Sequence, residues 1–180
     1  MSHISVPARE SVPADSKPLL DAVEKQLGLV PNMFRVIALS PHALQGYLSQ
    51  NAALGKTLDV KTRERIALAV AQVNGCDYCL SAHSYLAANL AKLDAAEIAK
   101  NRHGGSTDAK ANAAVAFAAT ITKTRGQVTD AEFQSVRAAG YTDGQIVEIV
   151  AVVAENVFTN LLNIVAGTDM DFPMVTATAA

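Results

Sequence analysis

The sequence predicts an all-α fold, and three observations carry that reading. Alanine recurs throughout the 180 residues while aromatic side chains make up only 5% of them, a balance that favours helix over strand. No Asn-Gly or Asp-Gly pair sits between two alternating apolar runs, as a tight hairpin requires; Asp143-Gly144 opens a helical pattern instead. Capping residues and terminal glycines bracket the helical stretches.

Each element follows in order. Residues 1–14 read as an irregular arm, after which Asp15 and Ser16 cap a helix over 17–27 that Gly28 ends. Short helices fit 31–39 and 41–54, the second with Pro41 in its first turn, where a missing N–H costs nothing. A long helix runs from Asp59 to Asn74 and is punctuated by Asn74-Gly75. The next starts in the segment that follows and reaches Ala91. Further helices fit 94–101, 108–124 and 129–139, and the last covers 142–166. Residues 15–180 thus read as one all-helical domain behind the arm.

Bulk properties narrow the function. Half of the residues are hydrophobic, enough for a substantial core without staples. A formal charge of −2 offers no basic surface for a phosphate backbone, so nucleic acid is not an expected partner. The opening MSHISVPARESVPADSKP lacks the basic region and apolar core of a secretory signal, and the expected location is cytoplasmic.

The stretch QIVEIVAVVAENVFTNLLNIVAG raises the question of a membrane span. Glu148, Glu155, Thr159 and Asn163 recur at intervals of seven, four and four, a polar seam on an apolar helix, and two carboxylates in lipid would be expensive. The expectation is a core or subunit-interface helix and no membrane. The plainer alternative is that the seam faces solvent.

Sliding the sequence by 84 residues places Asp59 on Asp143, Glu64 on Glu148, Ala67 on Ala151 and Val73 on Val157. The chain therefore reads as an internally duplicated helical unit, with copies around 59–91 and 142–167. The same slide places Cys76 on Asn160 and Cys79 on Asn163. One copy carries thiols where the other carries amides.

Those thiols, in NGCDYCLSAHS, are the only two cysteines of the chain. A redox pair, half of a metal site and two small buried residues are the readings to weigh. Two cysteines so close together in a reducing compartment are more often catalytic or metal-binding than structural. A helix beginning near Cys76 puts Cys76, Cys79 and His83 at i, i+3 and i+7 on one face. Alpha-carbons at that spacing lie about 5–5.5 Å apart, within reach of a disulfide. A helix N-terminus also favours thiolate over thiol, His83 can take the proton, and Glu64, on the preceding helix, is the best candidate to orient it. A structural zinc site needs four ligands, and beyond His83 only the remote His3, His42 and His103 remain.

The constellation of Glu64, Cys76, Cys79 and His83, with eleven, two and three residues between them, resembles the signature of the alkyl hydroperoxidase D branch of the carboxymuconolactone decarboxylase-like superfamily. LVPNMFRVIALSPHALQGYLSQ is similar to the N-terminal segment of its peroxidase-related members, and EIVAVVAENVFTNLLNIVAG to their C-terminal helix, so the resemblance covers about residues 17–167. It implies an all-helical, internally duplicated fold that assembles as homotrimers or hexamers. It also implies reduction of organic hydroperoxides with no metal or organic cofactor. Carried over, Cys79 is the attacking thiolate, Cys76 the resolving thiol, and Glu64 with His83 the proton relay, while an external dithiol reduces the disulfide.

Geometry suits these roles if Cys76 lies in an exposed first turn where the reductant can reach it. The family's best-known peroxidases carry a second histidine just before the nucleophile. Here that position is Tyr78, an auxiliary group that is a poor base at neutral pH, and a differently tuned relay is expected. The competing readings are the lactone decarboxylation that names the superfamily, a redox-sensing or disulfide-exchange protein, and a metal-binding module.

Overall fold

Six consecutive side chains, Ile66 to Ala71, are each at most 2% exposed. A helix buried on every side is one that other helices surround, and the architecture is organised around it. The computed structural model describes residues 2–177. Its α-helices are α1 Lys17–Leu27, α2 Asn32–Ile37, α3 Pro41–Leu54, α4 Val60–Asn74, α5 Asp77–Asn89, α6 Ala95–Arg102, α7 Ala109–Thr124, α8 Asp130–Ala138 and α9 Asp143–Ala166; no strand occurs among the described residues. The fold is all-α among the described residues. Helix α4 is the hub, with α5, α6, α7 and α9 packed around it.

Local chemistry explains the boundaries. Asp59, Asp94 and Asp108 each accept the backbone N–H three residues on, at 2.8–3.0 Å, and Thr129 and Thr142 complete capping boxes with Glu132 and Gln145. Helix α4 ends where Gly75 adopts φ 68°, a left-handed conformation that a side chain resists. The 84-residue offset aligns Gly75 with Thr159, and there α9 runs on uninterrupted. One glycine therefore separates α4 from α5, whereas the stretch 84 residues later is a single long helix.

Two expectations about the N-terminal region need correction. Ser16 stands at the start of α1, but its hydroxyl donates to the Ala38 carbonyl at 2.7 Å, and no side chain caps the helix. The arm is docked rather than irregular throughout. Its backbone donates from His3 and Ile4 to the Ala166 carbonyl, it forms a 3-10 turn at Arg9–Ser11, and it buries Val12.

Helix α9 resolves the seam. Glu155, Thr159, Asn160 and Asn163 are buried and Glu148 is half-buried, so the seam faces the interior and not solvent. Ile146, Ile149, Val152 and Val153 join the core beside it, and a second apolar row points outward: Val147, Val150, Phe158, Leu161 and Val165 are 41–67% exposed. The helix is long and apolar enough to cross a membrane by length and composition, but half of its most apolar window is buried against the rest of the fold.

A buried ion pair fixes α6 against α4. Glu97 accepts from Arg65 Nε at 2.8 Å, Asn101 Nδ2 at 2.9 Å and the Thr107 N–H at 2.8 Å. Burial works against its charge, yet hydrogen bonds from Ser106, Thr107 and Asn101 hold its pKa well below the carboxylate range. Removing one partner of such a pair costs about 3–5 kcal/mol.

Candidate active site

The α4–Gly75–α5 corner brings the four signature residues together. Cys76 is not in the first turn of α5 but at its N-cap, with φ −90° and ψ 95°, and its sulfur accepts the Cys79 N–H at 3.3 Å. It is also not exposed: Cys76 is 1% and Cys79 2% accessible. The expectation of an exposed resolving thiol is therefore overturned, because the segment after α9 covers this end of the helix. Both cysteines are free thiols.

That covering segment, residues 168–177, runs extended over α5. Asp77 Oδ1 accepts the Ala177 N–H at 2.8 Å, Ser81 exchanges hydrogen bonds with Val175 at 2.8 and 3.2 Å, and Asp171 Oδ2 accepts the Asn32 N–H at 2.7 Å. Phe172 lies 5.9 Å from the rings of Tyr78 and Tyr85. Tyr78 takes part in this cover: its hydroxyl accepts the Met33 N–H at 3.1 Å, and burial pushes its pKa up. Its role here is to tie α5 to α2 and the C-terminal segment, and a phenol so held is a still poorer base.

His83 lies one turn beyond Cys79, and its Nδ1 meets Glu64 Oε2 at 2.9 Å across the corner. Burial disfavours the imidazolium, but the Glu64 carboxylate, by charge and by hydrogen bond, raises the His83 pKa above its ordinary value. With Nδ1 occupied, Nε2 is left to exchange protons.

Helix α9 closes the site from the other side. Asn163 Nδ2 donates to Cys79 Sγ at 3.2 Å. Asn74 Nδ2 donates to Asn160 Oδ1 at 2.8 Å, and Asn160 Nδ2, fully buried, has no protein partner. The Cys79 pKa falls to about 6: the hydrogen bond from Cys76 contributes most, burial opposes it, and His83, Asn163 and Asn160 add to the lowering. Cys76 moves the opposite way, up, because it gives that hydrogen bond and is buried. The Cys79 N–H on Cys76 sulfur is the one contact that favours charge on Cys76, and it is outweighed.

Sequence reasoning singled out the four signature residues and listed Asn160 and Asn163 without a role. It missed Asn74, and also Tyr47 of α3, whose ring sits 5.8 Å from Phe34 and 6.2 Å from Phe158. Glu155 lies beyond His83 on the same inner face, its carboxyl pushed up by burial. Among the described residues no three His, Cys, Asp or Glu side chains converge to hold a metal ion.

Residues 39–120, which hold all four signature positions, match the model of the carboxymuconolactone decarboxylase family. That match spans less than half of the chain. The likeness in fold covers nearly the whole chain. An uncharacterized peroxidase-related protein of Ralstonia eutropha, with an alkylhydroperoxidase AhpD core, is 24% identical with a TM-score of 0.82, covering 94% of this chain and 92% of that one. A peroxidase-related protein of a Silicibacter species is 23% identical with a TM-score of 0.80, covering 93% and 91%. The debrominase Bmp8 is 19% identical with a TM-score of 0.79, covering 95% and 93%. An uncharacterized Haemophilus influenzae protein is 54% identical over 46 residues, 24% of this chain; the match spans only 41% of that relative's length.

Proposed function

We propose that the protein is a thiol-dependent reductase of organic hydroperoxides. The observation that carries this reading is the environment of Cys79: a buried sulfur, held low in pKa, with a second free thiol hydrogen-bonded to it and a carboxylate-oriented imidazole one turn away. A low-pKa thiolate beside a resolving thiol is the arrangement that peroxide chemistry uses.

In the proposed cycle His83 takes the Cys79 proton and, paired with Glu64, keeps the resulting imidazolium beside the thiolate. The thiolate attacks the distal peroxide oxygen. The S–O bond forms as the O–O bond breaks, sulfur is oxidised by two electrons, and the alkoxide leaves with the bonding pair and takes a proton from His83. Cys76 then attacks the sulfenic sulfur and releases water, closing a disulfide that an external dithiol reduces.

Burial of both thiols favours a small oxidant over a protein disulfide as first partner, which is why turnover is preferred to a sensing or exchange role. The exposed apolar row on α9 supports assembly with further copies of the chain, in line with a trimer or hexamer. The test is variant chemistry. Cys79→Ser abolishes peroxide consumption, and Cys76→Ser performs one reaction and stops at a sulfenic acid that dimedone traps. A Cys79→Ser protein with full activity would sink the assignment.

A further inference from the structure

We propose that Asn160 is a further catalytic residue: its Nδ2 donates a hydrogen bond to the peroxide oxygen at Cys79, in a donor site that the second copy of the duplicated unit builds for the first. The inference rests on the hydroperoxidase reading above and adds to it a residue outside the four-residue signature.

Three observations carry it. Asn160 is completely buried, yet Nδ2 has no protein partner, and a buried amide donor is seldom left unsatisfied without a reason. Its orientation is set, because Asn74 Nδ2 holds its Oδ1 at 2.8 Å; the free donor cannot turn away without losing that bond. It stands one turn before Asn163 on the inner face of α9; Asn163 Nδ2 reaches Cys79 Sγ at 3.2 Å, whereas Asn160 Nδ2 meets no hydrogen-bond partner and adds only the weakest of the contributions that lower the Cys79 pKa.

The two amides divide the work. Asn163 is already engaged by sulfur and stabilises the thiolate before reaction. Asn160 keeps an open donor, the feature that marks a group arranged for charge that develops later. As the thiolate attacks, negative charge builds on the peroxide oxygens, and a fixed N–H in a dry site stabilises it without reorganisation. No proton leaves the amide; the leaving alkoxide still takes its proton from His83. The 84-residue offset gives the arrangement a sequence logic, since Asn160 and Asn163 stand where the first copy has Cys76 and Cys79.

The experiment compares two reactions of one sulfur: alkylation by iodoacetamide, which reports the thiolate alone, and oxidation by cumene hydroperoxide, which also needs the donor. Asn160→Leu, close in volume, should slow oxidation by about 10²–10³-fold while alkylation, compared at pH values where the thiolate is fully formed, stays near the wild-type rate. Asn74→Ala, at a half-buried position that does not threaten the core, should shift the same ratio in the same direction by a smaller factor. Oxidation and alkylation falling in parallel, or oxidation unchanged in both variants, would overturn the proposal. Wild-type protein that alkylates quickly but meets the peroxide no faster than free cysteine would instead refute the hydroperoxidase reading itself.

Discussion

Asn163 Nδ2 lies 3.2 Å from Cys79 Sγ, and these two residues stand 84 positions apart, the offset at which the two helical stretches align in sequence. The contact joins α9 to the corner between α4 and α5. Asn74 and Asn160 make the second such contact at 2.8 Å. Helix α9, unbroken at Thr159, 84 positions after the Gly75 that ends α4, lays its inner polar seam along the start of α5.

Asn163 should matter through the thiolate. A hydrogen bond to a charged acceptor is worth about 1.5–3 kcal/mol, and about 1.4 kcal/mol corresponds to one pKa unit. Asn163→Ala should therefore raise the Cys79 pKa by about one to two units, read as a shift of the alkylation rate profile with pH. An unmoved profile would show that the amide only fills space.

The two titrations of the site set a pH window. Cys79, lowered to about 6, must be deprotonated, so peroxide consumption should rise with pH through that value. His83, raised by Glu64, must keep its proton, so the rate should fall again once pH passes its elevated pKa. Glu64→Gln removes the raising charge, and the falling limb should move to lower pH in steady-state rates. A limb that stays in place would detach Glu64 from the relay.

The C-terminal cover makes a separate demand on turnover. Cys76 is 1% accessible, so a dithiol reductant reaches the disulfide only if residues 168–177 move. Phe172→Ala removes the ring that packs on Tyr78 and Tyr85 and should speed reduction of the oxidised protein by dithiothreitol several-fold, of order 1 kcal/mol of ring contact. The peroxide step should change less. Equal acceleration of both steps would point to general loosening of the fold.

The outward face of α9 should govern assembly. Val147, Val150, Phe158, Leu161 and Val165 follow at intervals of three, eight, three and four residues and stand open, a row that suits helix-to-helix contact between copies. Leu161→Glu should lower the molar mass seen by light scattering to that of one chain. An unchanged mass would place the interface elsewhere.

Much of this was legible in the sequence because caps and glycines act locally. Asp59, Asp94, Asp108, Thr129 and Thr142 mark the starts of their helices, and Gly28, Gly75 and Gly167 the ends of α1, α4 and α9. Glu64 and His83 could be paired because one tight corner separates their helices. What could not be read depends on distant segments. Burial of Cys76 comes from residues about a hundred positions later in the chain, and the inward turn of the α9 seam depends on what packs against it. Asn74 carried no signal of its own, since a polar residue at a helix end is ordinary until its partner across the site is known.

The central claim is that Cys79 and Cys76 form a peroxide-reactive pair, and thiol titration of the reduced protein before and after substoichiometric cumene hydroperoxide, followed by anaerobic stopped flow, tests it most directly. The account predicts loss of two thiols per peroxide, at a rate far above that of free cysteine and absent from Cys79→Ser. Thiols that remain at their starting level, or disappear no faster than free cysteine, would contradict it.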